Sequence, residues 1–365
     1  MNRLSKMLWF GFLATVLGAT LGGCLFWQLT AERLISYCEL DQSVVYSVRS
    51  GDRLYVKVGD VGTDSGQLEI LDISNPFDVE EAQAGDMVDS PPVGFDRLFA
   101  YNGLVVTMGG PLITVIDPAL PSGGQFVNEL DMHDMPDNMM RYAVYGDYYI
   151  RMVNSDPGLE LTVNVYSMSD IVGSPSPAPI STLTIPGSTL AAGTAAAVHG
   201  TVLYLASPPT FHVIDLSNVN TPTEMATCPL PDLARTGNAL AIQGRYAYVL
   251  PSPSAQTIVY GTEGDTDPGD AVIVDVGSST APRVVTSIEG VGGPCAVSGS
   301  YLLARSGKSI DVYDLSDIAD PKYLKPLNVR LSATAIHVDG DYALVPEAEP
   351  QQRKGVATVL IAPYR

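Results

Sequence analysis

Three features of the sequence predict an all-β fold, a seven-bladed β-propeller whose last blade is completed by an N-terminal strand. A unit of about 35 residues, clearest from Pro294 to Asn328, holds four strand-like runs in a row. Two turn signals alternate along the chain with a period averaging about 48 residues, the spacing of a four-stranded propeller blade. The final copy of the unit stops at Arg365 one strand short, while an unassigned strand-like run, Leu34–Leu40, precedes the first copy.

Within the unit, strand a ends in Ser298-Gly299 and strand b follows at Tyr301–Ala304. After the turn Ser306-Gly307-Lys308 comes strand c, Ile310–Tyr313, closed by Asp314-Leu315-Ser316; Pro321 then leads into strand d, Tyr323–Leu327. The first recurring signal is a Gly after strand a, at Gly51, Gly103, Gly146, Gly200, Gly244, Gly299 and Gly340. Gly supplies the positive φ that a two-residue hairpin turn needs. The second marks the end of strand c, at Asp72, Asp117, Tyr166, Asp215, Asp275, Asp314 and Ile361. An Asp there folds its carboxylate onto backbone amides just ahead and stops the strand. Pro76, Pro222, Pro282 and Pro321 precede strand d, the outermost of the blade, where an edge tolerates Pro.

Strand c is apolar on both faces in its best copy, Ala271-Val272-Ile273-Val274, as expected for sheets stacked face to face. Three residues before each Gly stand Val48, Ala100, Ala143, Ala197, Ala241, Ala296 and His337. Strand a lies nearest the axis, where seven chains converge, and small side chains suit that crowding; His337 is the exception. The last copy has strand b at Tyr342–Val345 and strand c at Val356–Ile361, so Leu34–Leu40 is expected to pair beside 356–361 and close the ring.

The runs Ala271-Val272-Ile273-Val274-Asp275-Val276, Phe211-His212-Val213-Ile214-Asp215-Leu216-Ser217 and Gln67 to Pro76, with Gln243-Gly244-Arg245-Tyr246-Ala247-Tyr248-Val249, resemble the LVIVD-repeat family of β-propellers over residues 34–365. The resemblance implies this architecture and an extracytoplasmic setting, and no common reaction. Tyr166 and Asp117-Pro118 depart from the family's Asp-x-Ser pattern. Both tryptophans, Trp9 and Trp27, precede the propeller, which excludes propeller classes built on a repeated Trp.

Arg3 and Lys6 are followed by an uncharged stretch from Met7 to Leu29, which reads as targeting sequence. Two readings fit. In one, residues 1–23 are a signal peptide ending in Leu21-Gly22-Gly23-Cys24, which resembles the lipobox of bacterial lipoproteins; Cys24 then carries lipid and 24–33 is a tether. In the other, 7–29 is a transmembrane anchor. Either way the positive charges stay inside, and the propeller sits in the periplasm or on the cell surface, touching the membrane through its N-terminal anchor only.

The formal net charge of −20 repels nucleic-acid phosphates and excludes that class of partner. A monomeric propeller acting as a binding or scaffolding module for a protein or glycan of the cell envelope is the expected function. If Cys24 is lipidated, Cys38, Cys228 and Cys295 remain, an odd number that fixes no pairing.

The b–c loops alternate in length. Odd blades have long ones, Gly59–Gly66, Asn154–Glu160, Pro251–Asp270 and Pro346–Gly355, whereas even blades have short turns. The long loops carry Asp60, Asp64, Asp156, Glu160, Glu263, Asp265, Asp267, Asp270, Glu347 and Glu349. Surface loops on a rigid scaffold are where function concentrates, so Asp60, Asp64, Glu263, Asp265, Asp267 and Asp270 are the candidate partner-binding residues; the competing reading is tolerated insertion.

Asp265, Asp267 and Asp270 also bring three carboxylates within one turn, a weak signal for Ca2+ that lacks the bidentate Glu of an EF-hand loop. Met132-His133-Asp134-Met135 offers thioether and imidazole suited to copper, against a core role for the neighbouring Met139 and Met140. Ser306-Gly307-Lys308-Ser309 is no phosphate loop, since Leu302 takes the first Gly position. No Ser or Cys occupies a nucleophile motif. The catalytic alternative is a hydrolase or lyase site in the axial channel near His337.

Overall fold

The structure is a computed structural model of the 365-residue chain. It describes residues 34–40, 44–59, 66–81, 97–109, 112–120, 126–131, 141–154, 160–190, 194–231, 238–251, 269–306, 309–327, 333–348 and 354–361. Seven four-stranded antiparallel sheets follow one another as the blades of a propeller. Six are meanders of consecutive strands. The seventh is built from both ends of the chain, with Leu34–Glu39 outermost, then Lys354–Leu360, Tyr342–Ala348 and the inner strand His337–Asp339. The expected closure is therefore correct: Leu34 pairs with Val359, Cys38 with Val356 and Glu39 with Gly355.

Each a–b hairpin closes on a two-residue turn, and its register corrects three of the sequence assignments. In the second blade Tyr101 pairs with Leu104, so the turn is Asn102-Gly103 and its first residue is Asn102, at φ 49°. Asn is among the few residues that adopt this conformation, so it replaces Gly there. The inner position three residues before the turn is consequently Phe99, not Ala100. At the end of strand c, Ser167 pairs with Tyr148 and Leu360 with Tyr342, in the way Asp72 pairs with Arg53. The equivalent residues are thus Ser167 and Leu360, not Tyr166 and Ile361.

That register explains the turn chemistry. Asp72, Asp117, Asp215, Asp275 and Asp314 each accept a hydrogen bond at Oδ1 from the backbone N–H two residues ahead, at 2.7–3.0 Å. Ser167 Oγ accepts from Ser169 N in the same way and caps a short helix, Met168–Gly173, whose Met168 and Ile171 are buried. The residue after the anchor then donates its N–H back to the second a–b turn residue, as Ile73 does to Asp52 O, Leu216 to Thr201 O and Ile361 to Asp341 O. The a–b and c–d turns are thereby fastened together at one end of the propeller. The b–c loops and the d–a crossovers share the other end.

Between blades the packing is mostly apolar, and it alternates along the strands. In the fifth blade Ala247 and Val249 pack against Tyr204 and Ala206 of the fourth, whereas Tyr248 and Leu250 pack against Leu302 and Ala304 of the sixth. Both faces of each sheet are covered, which is why Ala271–Asp275 is buried throughout. On the outer strands, register shifts leave Val127, Met225, Val285 and Leu324 as extra residues. A bulge at this position twists the exposed edge away from pairing with another chain.

Gly355 holds the closure. Its φ is 155°, and a Cβ there would run into the carbonyl oxygen of Cys38 on the closing strand. Gly355→Ala is expected to lower unfolding stability by about 3 kcal/mol or more, whereas Gly173→Ala, which has open space and ordinary φ, should change little. Urea unfolding midpoints of the two variants check this.

Candidate functional site

The b–c end carries the loops singled out by the sequence, and their alternation stands. Long connections leave between Gly59 and Gly66, Asn154 and Glu160, Pro251 and Ala271, and Ala348 and Lys354; short ones join Gly109 to Leu112, Ser207 to Thr210 and Ser306 to Ser309. Asp60, Asp64, Glu263, Asp265 and Asp267 lie outside the described residues, as do Cys24 and the Met132–Met135 run. Asp270 is described. It is exposed, and its Oδ1 accepts from Gly290 N at 3.2 Å, so it ties the end of the longest loop to the next d–a turn. The same loop is pinched at its base, where a Cβ on Gly269 would lie 2.8 Å from Pro251 Cγ.

A second set of contacts at this end was not legible in the sequence. Asn154 brackets Leu190, accepting from its N–H at 2.6 Å and donating to its carbonyl at 3.3 Å. Arg141 Nε donates to Thr194 O at 2.6 Å, Thr194 Oγ1 lies 2.9 Å from Ser207 Oγ, and Ser207 donates to Thr189 O at 2.7 Å. These bonds fasten the third-to-fourth crossover against the strands beneath it. The base of the third-blade loop, at Asn154, is thereby tied to this crossover.

At the axis the inner strands meet side by side, and most of the junctions are apolar. Val48 packs with Leu98 and Ala100, Ala143 with Ala196 and Val198, Ala241 with Cys295 and Val297, and Ala296 with Ile336 and Val338. Phe99 joins Tyr142 around the buried Tyr149, its ring 6.0 Å from that of Tyr149, and Leu240 and Ile242 fill the fourth-to-fifth junction. Between the seventh and first blades the same positions are His337, Ser47 and Arg49. Ser47 Oγ lies 2.7 Å from His337 Nε2, and Arg49 donates from Nη1 to Val338 O and from Nε to Gly51 O, both at 3.2 Å.

All three side chains are half-buried. Burial, and secondarily the charge of Arg49, push the His337 pKa down to about 4. The ring is therefore neutral at neutral pH and is a weak base. A general base works best with a pKa near the operating pH, so this arrangement suits hydrogen bonding better than proton abstraction.

The other buried histidine and the described cysteines sit within the blades. His212 is buried in strand c of the fourth blade, with Nδ1 2.7 Å from Glu224 Oε1. Among the described residues no three His, Cys, Asp or Glu side chains gather to hold a metal ion. Cys38, Cys228 and Cys295 lie on three different blades; burial pushes Cys228 up to about 11 and Cys295 to about 12.

The depressed pKa of His337 has a consequence for stability. The unfolded chain takes up a proton near the ordinary 6.5, the folded chain only near 4, so stability falls as pH drops from 6.5 to 4 and the contribution is flat above that window. His337→Ala is expected to remove about 1 kcal/mol per pH unit from that slope. The difference between the unfolding free energies of the two proteins, measured across the window, checks it because carboxylate titrations common to both cancel.

No protein-family model matches the chain, and no curated protein matches it. Solved structures do. A protein from Lactobacillus plantarum aligns with a TM-score of 0.57 at 12% identity over 86% of this chain and 87% of its own. A computationally designed protein aligns at 0.54 and 13% identity over 90% of this chain and all of its own, and a functionally unknown protein from Desulfotomaculum acetoxidans at 0.54 and 10% over 87% and 90%. At such identities the likeness shows the fold alone: the chain is a seven-bladed β-propeller.

Proposed function

We propose that the chain is a membrane-tethered, extracytoplasmic binding module that presents the b–c loops of its odd blades to a basic protein or glycan partner of the cell envelope. One observation carries this reading, the direction in which the chain enters the ring. Leu34 stands opposite Val359 at the end of the a–b and c–d turns, whereas Glu39 stands opposite Gly355 at the loop end. An anchor in residues 1–33 would therefore reach the propeller from the turn end. The end of the ring from which the long, acidic loop sequences leave would then lie away from the membrane.

Support also comes from how the loops are mounted. The base of the 252–268 segment is closed by Pro251 and Gly269, and Asp270 is tied to Gly290. Loop length costs little entropy once the ends are fixed, so a long insertion at this place is compatible with the fold. A propeller supplies a stiff platform and leaves its loops to carry recognition. Among the described residues no helix is long and apolar enough to cross a membrane; residues 7–29 lie outside them.

Two experiments test the proposal. Cys24→Ser should leave the protein unprocessed and free of lipid, with altered gel mobility; unchanged mobility with membrane retention points to the transmembrane anchor over 7–29 instead. Replacing 252–268 by a four-residue turn should leave the thermal unfolding midpoint intact but weaken binding to basic partners from solubilised envelope. The intact protein's binding should also fade as salt rises, since exposed charges are screened beyond about 10 Å at 0.1 M. A trimmed protein that keeps both its partner and its salt response places the binding surface elsewhere.

A further inference from the structure

We propose that the junction between the outer halves of the fifth and sixth blades binds an organic ammonium ion, held by the Asp311 carboxylate and the ring of Tyr323. The site lies on the flank of the ring and stands whether or not the loop face binds a partner.

Comparison among the blades shows where a junction is thin. The residue four places before each strand-c anchor faces the next blade: Leu68, Ile113, Val163, Phe211, Ala271, Ile310 and Val356. Ala271 is the smallest of them. The residue three places before the anchor faces the preceding blade, because side chains alternate along a strand. Asp311 therefore points, like Tyr313, toward the fifth blade, whereas Ile310 and Val312 beside it pack toward the seventh. Elsewhere these two positions meet as bulky apolar pairs, Phe211 with Val272 or Ile310 with Ala357. Between the fifth and sixth blades they offer only a methyl group and a carboxylate.

That carboxylate lacks a cation. Asp311 is half-buried and forms no ion pair among the described residues. In the third and fourth blades the outer strand answers the polar residue at this position: Thr182 donates to Asn164, and Glu224 lies 2.7 Å from His212. In the sixth blade the residue opposite Asp311 is Pro326, whose side chain has no polar atom. Burial raises the Asp311 pKa, and the Ser306 and Ser309 hydroxyls that favour its charged form are outweighed. Ser309 already donates to Ser306 O at 2.9 Å. A positive charge brought into the junction would supply what the chain does not.

The aromatic rings narrow the class of cation. Tyr323 stands opposite Tyr313 in the ladder, with ring centroids 5.4 Å apart and planes at 58°. Tyr313 is buried in the junction, whereas Tyr323 is 53% exposed and leaves its ring open to a ligand. Both phenols feel the carboxylate: burial first, and Asp311 after it, push Tyr313 up to about 12 and Tyr323 in the same direction. A cation set between a Tyr face and a carboxylate gains from the ring quadrupole and from the opposite charge together. A neutral sugar would use the ring but leave the carboxylate uncompensated, and an anion would be repelled. The ligand class is therefore a compact organic ammonium.

The test uses the full chain in low salt and calorimetric titration with two probes, tetramethylammonium and ethylammonium, beside tert-butanol as an uncharged analogue. We expect at least one ammonium to bind saturably, and tert-butanol to bind about tenfold more weakly or worse. Asp311→Asn should weaken ammonium binding about tenfold or more, and Tyr323→Ala about threefold or more, whereas Tyr323→Phe keeps it. Tighter binding of tetramethylammonium supports a site for quaternary head groups; tighter binding of ethylammonium supports one for lysine-like amines. Asp311→Val copies Val272 of the fifth blade, so it should fold with a thermal midpoint no lower than the wild type and lose binding. Failure of both ammonium probes to bind overturns the proposal, as does equal binding of tert-butanol. Undiminished binding by Asp311→Asn or by Tyr323→Ala overturns it too. So does a lowered midpoint in both Asp311→Asn and Asp311→Val, because the carboxylate would then belong to the packing of the junction.

Discussion

The backbone ladder between Leu34–Glu39 and Lys354–Leu360 is the constraint on which the rest depends. Six blades are made from neighbouring stretches of chain, but the seventh joins segments that stand more than three hundred residues apart in the 365-residue sequence. Bringing such distant segments together costs about 5 kcal/mol of chain entropy before any contact compensates. The ladder offsets that cost together with Cys38, Leu40 and Val44, which enter one core with Leu54, Val56, Leu344 and Val356. Without it the seventh blade would expose the edge of Lys354–Leu360, a ready template for pairing with another chain. The closeness of the two strands also leaves room for nothing larger than a hydrogen at Gly355.

The same ladder fixes where the N-terminal segment meets the ring. Because the closing strand runs antiparallel to Lys354–Leu360, its first residue must lie at the turn end and its last at the loop end. The N-terminal segment and the ends of the b–c loops are thereby kept at opposite ends of the ring by topology alone. A closing strand contributed from the C-terminal side would not connect the N-terminal segment to either end in this way.

Much of the architecture was legible because its signals are local. A positive-φ turn and a carboxylate folded over the next amides can each be read from two or three residues, and the missing last strand from simple bookkeeping of runs. The errors came where chemistry, not identity, is repeated. Asn102 adopts the conformation of a turn Gly, and Ser167 Oγ does what five Asp side chains do, so matching by residue type slipped by one in those blades. That slip hid Phe99 and made His337 look like the sole exception at the inner position. The helix Met168–Gly173 and the Arg141–Thr194–Ser207 contacts were illegible because their partners lie across blades or crossovers, and the outer-strand bulges because they depend on the register between strands c and d.

His337 shows the limit of sequence reading most clearly. Its identity marked it as unusual, but neither the hydroxyl it meets nor the cation beside it is near in sequence; Ser47 is 290 residues away. Only the ring brings them together, and only the comparison among junctions shows that the anomaly belongs to a pair of blades and not to one residue. A repeat fold makes that comparison unusually informative, since the other junctions show what packing alone selects at the same positions. Packing selects small or apolar groups there. At this one junction a polar set takes their place and joins the first and seventh blades through the Ser47–His337 and Arg49–Val338 hydrogen bonds.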